Sequence, residues 1–448
     1  ILYATSKLGA IVTPINFRLS KEEISSIMND AKPKFFLYEK VFYNTINYLV
    51  KNNFLDKNMV LCIDTKNYHQ LLTKSKNTYP LNLKNSKKND DWSLMYTSGT
   101  TGKPKGVIRN HEGYYHLSSI TSIELKIKKE DKALLVMPLC HANSFNFFCA
   151  YIFAGASIYI YSKPSFNCQY FFKILKKHHC TFTSLVPTHF IIMLDYIKKY
   201  NKNNIIKHKF NFMISSAPAR KDTKQLILKY FKDANLYELY GSSESGWVTM
   251  LHPEEQFSHL GTVGKECIGS KAIKIMNDDL KEVKDGDIGE LYACTPYNFL
   301  GYWNNKNKTK EAFIDDYVSV GDLAYRNKNG FIVLVDRKKN MIISGGENIY
   351  PSEVENILGK HNAVKDLAIV GCQDKKWGEI VCAFVVLHDN MKLTEHKLIG
   401  WAKKRLASYK CPKKVFFIDD NEMPRNATGK ILHKDLRDKA NSLMKEIL

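Results

Sequence analysis

Nowhere in the 448 residues do two cysteines stand as a Cys-x-x-Cys pair, and none of the ten joins histidine at zinc-ligand spacing. That excludes the usual cysteine-bound zinc site, and in a chain far longer than disulfide-stapled scaffolds it points to reduced thiols in a cytosolic protein. Acidic residues are scarce: 45 against 66 Lys and Arg leave a formal charge of +21. No dense basic stripe accompanies this excess. The lysines are scattered and interleaved with asparagine, as in Lys51-Asn-Asn and Asn304 to Lys308, so the charge reads as compositional bias and no nucleic-acid partner is expected. No internal repeat is visible. Ala133 to Ser162 carries no Asp, Glu, Lys or Arg and would pass a hydropathy window. Pro138, His141, Asn143, Asn146 and Gly155 punctuate it into a strand (Leu134 to Met137), a helix (Phe145 to Phe153) and a second strand (Ser157 to Tyr161), so no transmembrane segment is expected. Peripheral membrane contact stays open. Ile1 to Val12 is too short for a signal peptide or span, contains Lys7, and does not begin with methionine.

What is present begins with length and apolar content. At 44% apolar and 12% aromatic, the chain can bury a large core and exceeds one ordinary domain. Leu2 to Gly9 suits a helix, and Ser20 with Glu23 three residues later forms a capping box for a second. Phe35 to Tyr38 reads as a strand. Helices at Tyr170 to Lys177, from Thr188, and Lys221 to Phe231 alternate with strands at Phe182 to Val186 and Asn211 to Ser215. This pattern predicts an α/β fold of stacked, mostly parallel sheets with helices between them. Lys74 to Asp91, polar and rich in Lys and Asn, reads as an exposed loop.

The densest chemistry lies in Tyr96-Thr-Ser-Gly-Thr-Thr-Gly-Lys-Pro-Lys-Gly106, with three glycines, four Ser/Thr hydroxyls and two lysines in eleven positions. Glycine lets backbone N–H groups converge on a polyanion while hydroxyls and ammoniums add donors, so this reads as a phosphate loop. It is not a Walker A loop, because counting from Gly99 puts Pro104 where the second glycine belongs. The apolar Trp92 to Tyr96 before it and the helical Asn110 to Ile123 after it place the loop at a strand-to-helix corner.

Thr97 to Gly106 resembles the signature loop of the adenylate-forming (AMP-binding) superfamily, which includes acyl-CoA synthetases. Further segments resemble family motifs in the family's order: Ile214-Ser-Ser-Ala-Pro-Ala219, Leu239-Tyr-Gly-Ser-Ser-Glu244, Val320-Gly-Asp322, Arg337 to Pro351, and Pro424-Arg-Asn-Ala-Thr-Gly-Lys430. The resemblance implies that Thr97, Ser98, Gly99, Thr100, Thr101, Gly102 and Lys103 hold ATP phosphates, with Lys105 and Thr97 catalytic. It further implies that Ser216, Ala217 and Pro218 line the adenine pocket, that Tyr240 flanks the base beside Gly241 and Ser242, and that Ser243 contacts phosphate or metal. Glu244, with Thr97, would hold Mg²⁺; Asp322 and Arg337 would bind ribose; and Lys430 would be the adenylation lysine. Position 243 is usually Thr in the family, and Ser keeps the hydroxyl.

The same resemblance places a boundary at Lys339, giving a large region 1–338 and a small α+β lid, 339–448, that turns about Lys339. Gly345, Gly346 and Glu347 would line a coenzyme A channel. It also implies that family material preceding Ile1 is missing. The implied activity is acid:CoA ligation with ATP, Mg²⁺ and coenzyme A, through an acyl adenylate and then a thioester. Only eighteen residues follow Lys430, which leaves no room for a carrier domain and favours free coenzyme A. The acid pocket is expected near His141, Phe145, Trp247 and Met250, with no Asp there to mark an amino-group site. A fatty acid is the first expectation, an aryl acid such as a hydroxycinnamate the second, and a catalytically silent nucleotide-binding fragment the third.

Overall fold

The computed structural model describes residues 1–75, 87–97, 104–200, 206, 208–426 and 429–447. The first helix, α1 (Leu2–Leu8), stops where Gly9 takes a left-handed φ of 61°. The second, α2 (Lys21–Ala31), opens on the expected capping box, with the Ser20 hydroxyl accepting from the Glu23 amide and the Glu23 carboxylate accepting from the Ser20 amide.

Where the phosphate loop was expected at a strand-to-helix corner, the structure has a hairpin. β1 (Asp91–Thr97) pairs antiparallel with β2 (Lys105–Asn110), and α3 (His111–Glu124) starts only after Asn110 caps it. Polar Lys105, Arg109 and Asn110 mask the strand in the sequence. Pairing with β1 is what makes it one, because the ladder satisfies its backbone groups.

The central sheet uses β3 (Lys132–Leu135), β4 (Ser157–Ile160), β5 (Phe182–Leu185), β6 (Phe210–Ser215), β7 (Ala234–Ser242), β8 (Gly246–Leu251) and β9 (Lys265–Glu266). Its order is β4-β3-β5-β6-β7-β8-β9, parallel from β4 through β7 and antiparallel at the β8 and β9 edge. Helices α4 (Ala142–Phe153), α5 (Cys168–His178), α6 (Pro187–Lys199) and α7 (Lys221–Tyr230) connect these strands. Phe210, Phe212 and Ile214 of β6 enter one hydrophobic cluster with α5 and α6, while Met213 enters another with α3 and α4. The period-two alternation thus buries both faces of the sheet.

A second sheet is wholly antiparallel, with β10 (Lys274–Met276), β11 (Gly289–Tyr292), β13 (Asp322–Arg326) and β14 (Ile332–Arg337) in that order. Between β11 and β13 the chain inserts β12 (Gly301–Tyr302), which joins the β1–β2 hairpin as a third strand. The expectation of mostly parallel sheets therefore holds for the central sheet and for the two-stranded sheet that pairs Phe36–Tyr38 with Val60–Cys62. The others contain antiparallel pairs, some of them hairpins and some, such as Tyr302 with Val107, distant in sequence.

A one-turn 3-10 segment, Lys338–Asn340, separates β14 from β15 (Ile342–Ser344), which belongs to a different sheet. There it meets β16 (Glu347–Ile349) and the long pair β17 (Val364–Asp374) and β18 (Gly378–Leu387), with β19 (Lys414–Phe417) parallel to β18. Helices α8 (Pro351–Leu358) and α9 (Glu395–Lys403) cover one face through Val354, Leu358, Leu398 and Ala402. The last helix, α10 (His433–Ile447), covers the other through Leu436 and Ala440. The result is a large N-terminal α/β region followed by a small α+β unit with its own core.

One charged pair lies inside the large region. Lys224 of α7 and Glu238 of β7 are bonded to each other at 1% and 8% side-chain exposure. Removing one partner strands the other charge, so Lys224→Ala should lose about 3–5 kcal/mol in urea unfolding. The double change Lys224→Met with Glu238→Leu should lose much less, and equal losses would show that the pair is not what the core requires there.

Candidate active site

Two sheets and the small unit present their ends to one another. The β7–β8 hairpin carries Tyr240 to Glu244, the start of β13 carries Asp322, the end of β14 carries Arg337, and the turn before α10 carries Lys430. Gly241 has a steric reason to be glycine, because a Cβ there would lie 2.0 Å from the carbonyl oxygen of Gly246.

Asp322 is buried and accepts twice. Tyr240 Oη donates to its Oδ2 at 2.7 Å and Arg337 Nε approaches its Oδ1 at 2.9 Å, the two residues being cross-strand partners. Asp322 beside it holds the Arg337 guanidinium above its ordinary pKa. Lys430 comes from the other unit to the same spot. Burial, with Arg337 and Lys339 nearby, pushes its ammonium down to about 8, while Asp322 works in the opposite direction. The loop that delivers it is pinned to the N-terminal region: Thr188 Oγ1 donates to the Gly429 carbonyl at 3.3 Å, and Arg425 donates to that carbonyl and to Thr188. Lys339, one residue into the 3-10 turn, is exposed at the surface, and its pKa is likewise shifted down, by desolvation first and Arg337 second.

Glu244 sits across the site at 7% exposure. Its Oε1 accepts from Tyr302 Oη at 2.8 Å, and its Oε2 takes no hydrogen bond among the described residues. Its main chain is fixed by Phe299, whose amide donates to its carbonyl at 2.7 Å. The buried Arg109 guanidinium donates to the carbonyls of Ser243 (2.6 Å), Glu244 (3.5 Å) and Tyr297. Lys105, at the loop's exit, lies 4.0 Å from the centre of the Tyr302 ring, and burial lowers its pKa while Glu244 opposes the shift. Thr97, at the loop's entry, reaches the Lys105 carbonyl at 3.5 Å. Ser98 to Lys103 lie outside the described residues.

A carboxylate with one oxygen held and the other unengaged fits a hard divalent cation that takes its remaining oxygens from phosphate and water. No group of three or more His, Cys, Asp or Glu at metal-holding distance occurs among the described residues. Glu244 is thus the carboxylate by which Mg²⁺ could be held in concert with a polyphosphate.

The remaining expected residues fall into three groups. Ser216, with φ of 68°, Ala217 and Pro218 form the bend between β6 and α7, at the same sheet end as Tyr240. Gly345 and Gly346, with φ of 59° and 87°, make the two-residue turn of the β15–β16 hairpin, in which Ser344 pairs with Glu347. That turn demands glycine on local grounds alone.

The four acid-pocket candidates stand in two pairs, His141 and Phe145 one turn apart at the start of α4, where the Phe145 amide donates to the His141 carbonyl at 3.0 Å, and Trp247 with Met250 on β8, and Phe148 packs against the clusters of both Phe145 and Trp247. Phe145 is buried with Trp92 and Tyr114, whereas Trp247 and Met250 are buried in the cluster around Phe147, where the Trp247 indole N–H donates to Thr121. His141 caps α4 without a side-chain bond, its Nε2 has no partner, and burial pushes its pKa down to about 4. Three residues that shape the site had gone unnoticed in the sequence: Arg109, Tyr302 and Thr188. The first carried a signal, a lone cation on an otherwise apolar strand stretch, Val107-Ile-Arg109.

A clustered set of cations and hydroxyls facing two strand-end carboxylates, with a lysine supplied from a second unit, is an arrangement for a nucleotide polyphosphate and a carboxylate. Comparison with known proteins agrees. The family model described as AMP-binding enzyme matches residues 1–303, and that of the AMP-binding enzyme C-terminal domain matches residues 353–430. The 2-succinylbenzoate–CoA ligase of Listeria monocytogenes is 28% identical over 440 residues, covering 98% of this chain and 86% of that protein. The o-succinylbenzoate CoA synthetase of Bacillus subtilis, solved with the acyl-adenylate intermediate OSB-AMP, superposes with a TM-score of 0.85 at 28% identity, over 98% of this chain and 85% of that one. The same synthetase has been solved with ATP and magnesium ion, with a TM-score of 0.85 at 27% identity, over 98% of this chain and 86% of that one. ATP-bound MatB from Rhodopseudomonas palustris gives 0.88 at 25% identity, over 98% of this chain and 86% of that one. With the model match spanning more than half of its length and the site residues in place at the strand ends, this chain belongs to the AMP-binding enzyme family.

Proposed function

We propose that the chain is an ATP- and Mg²⁺-dependent acid:CoA ligase acting through an acyl adenylate, and that its acid is aromatic. It is an acid–thiol ligase. The observation that carries the reading is Lys430, a half-buried lysine delivered by the small unit to the Asp322–Arg337 pair at the end of the large region.

In the first half-reaction an oxygen of the acid attacks the α-phosphorus of ATP, and pyrophosphate leaves with the electron pair of the broken P–O bond. In the second, the thiol of coenzyme A attacks the acyl carbon, loses its proton, and AMP departs. Both partners of the first step are anions, so it needs fixed positive charge where the negative charge gathers. Lys430 and Arg337 supply it near the ribose and α-phosphate, and Lys105 supplies it at the exit of the phosphate loop. Asp322 accepts from the ribose hydroxyls. Glu244 holds Mg²⁺, which offsets phosphate charge. Between the halves the small unit turns about Lys339, within the boundary between 1–338 and 339–448, taking Lys430 away and bringing the Gly345-Gly346-Glu347 turn towards the site.

The aromatic acid rests on one support. Two of the relatives named above, from Listeria monocytogenes and Bacillus subtilis, are ligases of succinylbenzoate. Phe145, Trp247 and Met250, which suit a fatty or an aryl chain alike, do not decide between the two. A panel of 2-succinylbenzoate, 4-hydroxycinnamate and dodecanoate, assayed by pyrophosphate exchange and thioester formation, tests it. At least one aromatic acid should exceed dodecanoate in kcat/KM by about tenfold or more, which corresponds to about 1.4 kcal/mol of differential transition-state binding. Preference for dodecanoate would restore the fatty-acid reading, and ATP binding without exchange on any acid would favour a silent nucleotide-binding protein.

Lys430 generates a second test. Its removal in Lys430→Ala should slow adenylate formation by about 10²–10³ or more, while thioester formation from supplied acyl adenylate survives. Rapid-quench measurement of the halves separately decides this, and equal slowing of both would remove Lys430 from the adenylation role. The pH dependence has a definite sign. With its pKa near 8, Lys430 loses its proton as pH rises, so kcat/KM for adenylation should fall above about pH 8, and Lys430→Arg should move that limb upward. Folding stability should change in the opposite sense: between about 8 and the ordinary lysine value of about 10.4 the unfolded chain holds the extra proton, so stability rises with pH across that window.

A further inference from the structure

Tyr302 has no part in the motifs that define the site, yet it touches two of the site's charged groups. It lies on the two-residue strand β12, held by pairing with Val107 of β2, by the bond from its amide to Thr309 Oγ1 at 2.9 Å, and by an edge contact with the Phe299 ring. It is 7% exposed. From this fixed base its hydroxyl donates to Glu244 Oε1 and its ring lies under the Lys105 ammonium. One rigid aromatic side chain therefore sets the carboxylate and the lysine at a fixed separation, although they come from sheets with no strand in common.

We infer that Tyr302 is the positioning residue of the metal–phosphate site: its hydroxyl holds Oε1 of Glu244 so that Oε2 alone is presented to the cation, and its ring holds Lys105 towards the phosphates. This rests on the proposed metal role of Glu244. The two functions are chemically separable. The hydroxyl acts on the carboxylate, and the quadrupole of the ring acts on the ammonium. Without the hydroxyl, Glu244 is a buried carboxylate with neither oxygen held, free to rotate or to turn towards Lys105. Its main chain would not move, because Arg109 and Phe299 fix that independently. Tyr302 touches no reacting atom, so its loss acts through Glu244 and Lys105.

Tyr302→Phe removes the hydroxyl and keeps the ring; Tyr302→Leu removes both; Glu244→Gln serves as the reference. Mn²⁺ is titrated into each full-length enzyme saturated with ATP, and free Mn²⁺ is followed by electron paramagnetic resonance. ATP affinity is measured separately in EDTA. For Tyr302→Phe we expect the Mn²⁺ dissociation constant to rise about tenfold or more, ATP affinity in EDTA to stay within about twofold, and raised Mg²⁺ to restore pyrophosphate exchange. Tyr302→Leu should additionally weaken ATP binding in EDTA by several-fold. A merely structural tyrosine would lower the unfolding midpoint and leave the Mn²⁺ constant unmoved. If Tyr302→Phe leaves Mn²⁺ affinity unchanged while Glu244→Gln weakens it, the positioning role is wrong and the metal role of Glu244 stands. If Glu244→Gln also leaves it unchanged, the metal assignment itself falls.

Discussion

Positive charge packed against positive charge governs this structure. Burial first, and the neighbouring Arg337 second, lower the pKa of both Lys339 and Lys430, and Lys105 adds to the field acting on Lys339. Asp322, Asp336, Glu244 and Glu311 act in the opposite direction. Burying cations in such company costs free energy that the apolar cores must offset, and a polyanion entering the site would relieve it. Such a field favours a ligand more negative than the site's own carboxylates.

The fold makes this tolerable by supplying each charge from a rigid end. Asp322 and Arg337 are cross-strand partners on one sheet, Tyr240 comes from the central sheet, and Lys105 comes from the hairpin that β12 completes. None of these charges sits on a long free loop. Hydrophobic clusters on both faces of the central sheet, and on both faces of the C-terminal sheet, fix the strand ends to which the charges are attached.

Local features were legible in the sequence and long-range ones were not. The capping box at Ser20, the βα alternation through Ala217 and the glycine turn at Gly345 each express a short-range rule, and each formed where its residues stand. The β1–β2 hairpin was misread because half of Lys105 to Asn110 is polar and its strand character comes from a partner. For Trp247 and Met250 an apolar run does not say which side each residue faces. β8 is buried along its whole length, with Trp247 and Met250 in one cluster and Val248 in another. Tyr302 and Arg109 were missed for a third reason. Their partners lie 58 and more than 130 positions away, beyond any spacing rule.

The contact between the two units differs in kind from the contacts within each. Inside the C-terminal unit, Val354, Leu358, Ile369 and Val385 exclude water completely. Between the units, the linking contacts include single polar bonds: Thr188 to Gly429, Arg425 to Thr188, Arg220 to the Gly359 carbonyl, Ser352 to Asp336. Each such bond is worth about 1 kcal/mol net, because both partners can return to water. Bonds of this kind can exchange for water without unfolding either part. Strength inside the units and weakness between them follow from the same fact: apolar burial is irreplaceable by water, whereas a hydrogen bond is not.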